Sequence, residues 1–234
     1  PSGRIATVAS PCPTSSTTTR STPDPGWCTM PCAEKRGAQN TSPAASNNIG
    51  SRPTTAAGVV LANDRITASA TSTMATAGGD VFLAGDDMSL DGAAGSINTG
   101  GGNVTLTTQS AGQTITLGGA GGLSLVASEL STFANAPTVT IGTDGSFLST
   151  PAHTGTIAVS GATAPNAAGL MAFNITNAGT SGDSVIFNAS LTTPKPVTVS
   201  AAAGNIKFNA AGKIVANGAT AADRVVNLIA STGS

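Results

Sequence analysis

The chain has 234 residues, of which 9% are charged and 3% aromatic, with 29 Gly and no Tyr. A formal net charge of −1 excludes the basic footprint of a nucleic-acid binder, and no apolar run reaches the ~18 residues that suggest a membrane span. So few aromatic side chains predict a thin core of Val, Ile, Leu and Ala rather than a wide globular one.

Residues 1–56 differ in composition from residues 57–234. They hold eight of the 13 prolines, all three cysteines (Cys12, Cys28, Cys32) and the one Trp, Trp27, with five basic against two acidic residues. Runs such as SSTTTRST have neither helical nor strand period, which predicts a disordered Pro/Ser/Thr-rich segment. The abrupt change of style also fits a segment that is not native to the rest. Cys28 and Cys32 stand in CTMPC, one residue wider than the redox spacing. Zinc takes four ligands; three thiols and a sole, distant His153 do not make that set, so no metal or other cofactor is expected.

Over residues 57–234 one pattern recurs: Gly, a small polar residue, then apolar-x-apolar. It starts at Gly79 (GDVFL), Gly102 (GNVTL), Gly155 (GTIAV) and Gly204 (GNIKF), with intervals of 23, 53 and 49 residues. Such periods mark a repeat architecture. Short alternating runs lie between: TITL (114–117), LSLV (123–126), Val139–Ile141, Val185–Phe187, VTVS (197–200) and KIVA (213–216). Alternation half-buries a strand, and Gly, Asn, Asp and Ala separate the runs as turns. Several short strands per period fit a coil of a parallel β-helix, about seven or eight coils in all, each about 4.8 Å above the last. The rival is an antiparallel β-sandwich, which shares short strands and frequent turns.

Within GGNVTLTTQSAGQTITLGGAGGLSLV (101–126), Val104, Leu106, Ile115, Leu117, Leu123 and Leu125 are predicted to point inward, the stretch making roughly one coil. The pairs Thr105/Thr107, Thr114/Thr116 and Thr138/Thr140 are two apart and so share a strand face. They are predicted to face outward as an uncharged wall, a possible surface contact for glycans or ice. Thr also simply suits an exposed strand position.

Reactive side chains are sparse. Asp86, Asp87 and Asp91 cluster in AGDDMSLDG, near Asp80. Glycoside chemistry needs two carboxylates at a set separation, whereas Asp in a Gly-rich turn commonly bonds its own backbone. His153 has no acid or nucleophile beside it and reads as a turn residue. No G-x-S-x-G elbow occurs, and GGAGG (118–122) lacks the GK[ST] of a phosphate loop. The chain is not expected to be an enzyme.

The pieces GGNVTLTTQSAGQTITLGG (101–119), LSLVASEL (123–130), TVTIGT (138–143) and GTIAVSG (155–161) resemble, in order, the repeat region of the filamentous-haemagglutinin-like exoproteins, bacterial surface proteins exported by two-partner secretion. Ser128 stands where that family commonly has Ala in its short acidic turn, and the Asn-Pro-Asn motifs of its secretion domain are absent. The resemblance implies a right-handed parallel β-helix from an internal stretch of a longer protein. It implies secretion to the cell surface past an outer-membrane transporter. It also implies a structural or adhesive role toward glycans or proteins on host or neighbouring cells, with no catalytic residues. The alternatives are a β-helix carbohydrate-active enzyme around Asp86–Asp91, or a Thr-rich glycan- or ice-binding module.

Overall fold

The computed structural model describes residues 38–40, 47–49, 51–55, 58–146, 151–161, 163, 172–179 and 182–231, all within the unit Lys35–Ser234. Cys12, Cys28, Cys32 and Trp27 lie outside the described residues, as do the expectations attached to them.

The described chain is all-β. Its first nine strands come in threes: β1 (Ala38–Asn40), β2 (Asn47–Asn48), β3 (Ser51–Thr55); β4 (Val59–Ala62), β5 (Arg65–Ala68), β6 (Thr73–Thr76); β7 (Val81–Ala84), β8 (Asp87–Leu90), β9 (Ile97–Asn98). First members pair only with first members, second with second and third with third. The described strands Ala38–Asn40, Asn47–Asn48 and Ser51–Thr55 lie inside the segment that composition assigned to disorder. Polar, Pro-containing runs such as SRPTT pair through the backbone, which composition does not register.

The pattern then changes. β10 (Val104–Thr107) is followed by β11 (Ile115–Leu117), β12 (Leu123–Leu125), a one-turn helix α1 (Ala127–Leu130) and β13 (Phe133–Ala134). Next come β14 (Thr138–Ile141) and β15 (Ile157–Val159), then β16 (Ala172–Asn177), β17 (Asp183–Phe187), β18 (Ser190–Thr193), β19 (Val197–Ala201), β20 (Asn205–Phe208), β21 (Lys213–Ala216) and β22 (Val226–Ala230). The long sheet runs β1-β4-β7-β10-β14-β16-β19-β22. A five-stranded sheet runs β12-β11-β15-β17-β20, and shorter sheets run β13-β9-β6-β3, β2-β5-β8 and β18-β21.

Every strand pairing among the described residues is parallel, so the antiparallel sandwich is not the arrangement found. Along the long sheet Val59 lies opposite Val81, Val81 opposite Val104 and Val104 opposite Val139. Two positions on, Leu61, Leu83, Leu106, Ile141, Ile175 and Val199 align in the same way. These side chains are buried and form one continuous aliphatic core. Each strand is thus a rung of a ladder whose inner face repeats the same two aliphatic positions. Two of the core's largest buried members are Phe133 and Phe187, whereas Phe82 is buried in a separate small cluster with Val60 and Ala84.

The glycine that opens the recurring motif has a packing cause. A Cβ on Gly102 would lie 2.2 Å from the Gly79 carbonyl oxygen, and one on Gly155 would lie 2.2 Å from that of Gln113. Only Gly lets neighbouring rungs approach this closely at the corner. The motif itself divides between sheets: GDVFL and GNVTL supply β7 and β10 of the long sheet, GTIAV and GNIKF supply β15 and β20 of the five-stranded one.

Candidate functional site: a groove on the long sheet

The inward set is placed as expected: Val104, Leu106, Ile115, Leu117, Leu123 and Leu125 are all fully buried. Thr105 is therefore on the opposite face, half-buried, between Phe82 and Thr140 on the flanking strands. Thr138 and Thr140 are half-buried on β14. Just before β7 and β10, Asp80 and Asn103 are exposed, and the Asn103 backbone N–H donates to Asp80 Oδ1 at 2.8 Å. Asp80, Asn103, Thr105, Thr138 and Thr140, with Val81 and Phe82, line a groove of about 330 Å³. It presents a carboxylate, an amide and three hydroxyls close together, the donors and acceptors that a polyhydroxylated ligand pairs with.

The other three threonines are not part of it. Thr107 and Thr116 share the outer face of their strands but are buried there rather than exposed. Thr116 Oγ1 donates to the Gly121 carbonyl at 2.8 Å, because the loop after β11 folds back over it. Thr107 ends β10 and its Oγ1 has no hydrogen-bond partner. Thr114 is half-buried ahead of β11, in the five-stranded sheet. The six do not form a single wall.

The acidic residues take separate partners. Asp86 accepts from the Ser110 backbone N–H at 2.8 Å and from its hydroxyl. Asp87 pairs with Arg65 at 3.3 Å on the neighbouring strand, and Asp91 accepts from Ser89 at 2.7 Å. No group of three or more His, Cys, Asp or Glu side chains converges among the described residues. Glu129, in the Ala-Ser-Glu-Leu turn, accepts from the backbone N–H of Val126 at 2.9 Å and of Leu90 at 3.1 Å. It ties α1 to β8, a role that sequence spacing of 39 residues does not reveal.

His153 is fully buried rather than in a turn. Its backbone bridges neighbouring levels, the N–H donating to Thr143 and the carbonyl accepting from Ala178, each at 2.8 Å. Thr108 Oγ1 donates to the Ser110 carbonyl at 2.7 Å and lies 3.1 Å from His153 Nδ1, which assigns the ring proton to Nδ1. Nε2 has no hydrogen-bond partner. Burial lowers the imidazole pKa to about 4, and the Gly155 backbone offsets this only in part. The buried ring is therefore held neutral at ordinary pH, beside the Thr108 hydroxyl.

No helix among the described residues is long and apolar enough to cross a membrane. Comparison with family models, with curated proteins and with solved structures finds no match to this chain.

Proposed function

We propose that the chain is a structural and adhesive segment of a secreted bacterial surface protein. In this reading it is wound as a right-handed parallel β-helix, like the repeat region of filamentous-haemagglutinin-like exoproteins, and is not an enzyme. One observation carries the reading: aliphatic positions stack strand over strand along the long sheet with parallel register throughout. A stack of this kind lengthens by adding similar coils, each stabilised by its neighbours. It supplies distance and lateral surface, which is what a stalk on the cell exterior needs. Its partners would be glycans or proteins of host or neighbouring cells, after export through an outer-membrane transporter.

Two measurements test this. Solution scattering of the folded chain should give a rod of constant cross-section; a compact sphere would remove the β-helix. Beads coated with the chain should attach to epithelial cells more than beads coated with the unfolded variant Leu106→Asp, and equal attachment would remove the adhesive role.

A second reading is favoured by the groove on the long sheet: a glycan contact through Asp80, Asn103, Thr105, Thr138 and Thr140. Binding of neutral oligosaccharides, measured by calorimetry, should weaken about 5- to 30-fold in Asn103→Ala, since a lost polar partner costs on the order of 1–2 kcal/mol. Unchanged affinity would exclude the groove. An ice-binding wall requires the threonines on one flat face, and a glycoside hydrolase requires paired carboxylates; the placement of neither set supports these.

A further inference from the structure

Residues 151–156, ahead of β15, join neighbouring levels of the stack. On one side the His153 N–H donates to the Thr143 carbonyl at 2.8 Å, and the Thr154 and Gly155 N–H groups both donate to the Ala111 carbonyl, at 2.7 and 2.9 Å. On the other, the His153 carbonyl accepts from the Ala178 N–H at 2.8 Å, and the Gly155 carbonyl accepts from Asn177 Nδ2. Thr143 and Asn177 hold the same corner position, two residues beyond the paired Ile141 and Ile175, and both are buried. All these bonds are made by backbone or neutral side-chain groups. The imidazole of His153 is the only titratable group in the segment, and it is fully buried at its centre.

That ring has no place for a second proton. Its Nδ1–H points to Thr108 Oγ1, 3.1 Å away, whose own proton goes to the Ser110 carbonyl. Nε2 has no hydrogen-bond partner. The Gly155 backbone favours the charged ring only in part, and its carbonyl is already taken by Asn177. Among the described residues, the elements packed around the ring carry Asp86, Asp144 and Asp183, each engaged elsewhere. Asp86 accepts from the Ser110 N–H at 2.8 Å, Asp144 from the Ser146 N–H at 2.9 Å, and Asp183 pairs with Lys207 at 2.8 Å. A protonated ring would thus be a buried cation without an acceptor at Nε2 and without a carboxylate, which is costly.

We propose that His153 is a proton-operated latch: protonation of its ring releases residues 151–156 from Ala111, Thr143 and Ala178, while strands β4 to β10 and their aliphatic core stay in place. The release is local for two reasons. Residues 151–156 form no strand, so opening them breaks few bonds and exposes little apolar surface. The rungs Val59–Val81–Val104 and Leu61–Leu83–Leu106 are held by backbone pairing and apolar contact, which do not titrate. In the closed segment burial holds the ring pKa at about 4, and in the open, hydrated one it returns to near 6.5. Acidification between those values therefore favours the open form, and the opening equilibrium rises on the order of 50-fold from pH 7 to pH 4.5.

Native-state hydrogen exchange of the 234-residue chain tests the latch. Protection of the His153, Thr154, Gly155 and Ala178 amides, corrected for the intrinsic pH dependence of exchange, should fall on the order of 50-fold from pH 7 to pH 4.5. At pH 4.5 it should barely respond to low urea, because a local opening exposes little surface, whereas amides of β7 and β10 should lose protection steeply. In His153→Gln the fall with pH should vanish. Protection at these four amides that follows urea as steeply as β7 and β10 would show that only the whole chain opens, and would overturn the latch. So would the absence of any fall between pH 7 and pH 4.5 in the unsubstituted chain, a readout that needs no variant to fold, or an unchanged fall in His153→Gln.

Discussion

Burial keeps the His153 imidazole neutral down to about pH 4, whereas in the unfolded chain it takes a proton near 6.5. The native pKa is the lower one, so the unfolded state binds more protons between those values and stability falls as pH falls. The slope is about 1.4 kcal/mol per pH unit, or about 3 kcal/mol over the whole window. Urea midpoints at pH 7, 5.5 and 4.5 should fall for the unsubstituted chain and stay nearly level for His153→Gln; parallel decline of both would show that His153 is not the titrating group. The carboxylates do not confuse this window. The Asp144 pKa is lowered chiefly by Ser146, that of Asp183 by Lys207 and that of Asp223 by Thr220 and Lys195. Groups of that kind lose their contribution only as pH falls below the ordinary carboxylate value.

β11 and β12 pair in parallel with Ile115 opposite Leu123 and five residues, GGAGG, between the strands. Parallel neighbours ordinarily need a crossover of a dozen residues or more. The return is made by Gly118, Gly121 and Gly122, with φ of 70°, 105° and 62°. Gly122 is held hardest, because a Cβ there would lie 2.0 Å from the Thr114 carbonyl oxygen. Gly122→Ala should cost more than the ~1–2 kcal/mol of a left-handed non-Gly residue alone, since backbone must also move. Gly112, which meets nothing within 4 Å, is the control and should tolerate Ala with little change in Tm. This loop marks the limit of what sequence carries. Period-two alternation identified all six inward residues of 101–126, because facing is a property of one strand. It does not say which strand lies beside which. The stretch read as one coil is in fact a strand of the long sheet followed by two strands of another that pair with each other. The burial of Thr107 and Thr116 escapes that alternation for the same reason: a loop or a strand end beyond the local pattern covers them.

The ladder of the long sheet is regular in its residues and irregular in its spacing. From rung to rung the return is 22 residues at Val59–Val81 and 23 at Val81–Val104, but 35 at Val104–Val139 and 24 at Phe173–Val197. The recurring glycine motif made the repeat legible, while the insertions that lengthen single turns, such as β12 with α1, have no periodic signature. Because each rung contacts mainly its neighbours, stability should be distributed along the stack rather than held by one centre. Position then decides what an identical substitution costs. Leu106 is covered on both sides, by Leu83 and Ile141, and is fully buried; Leu228 occupies the equivalent inward position with one neighbour, Val199, and is 51% exposed. Leu106→Ala should lower unfolding free energy by about 2–5 kcal/mol, the range for a buried Leu with a residual cavity. Leu228→Ala should cost less than about 1 kcal/mol, having little burial to lose. Equal losses at the two sites would mean that Leu228 is as well covered in the folded chain as Leu106.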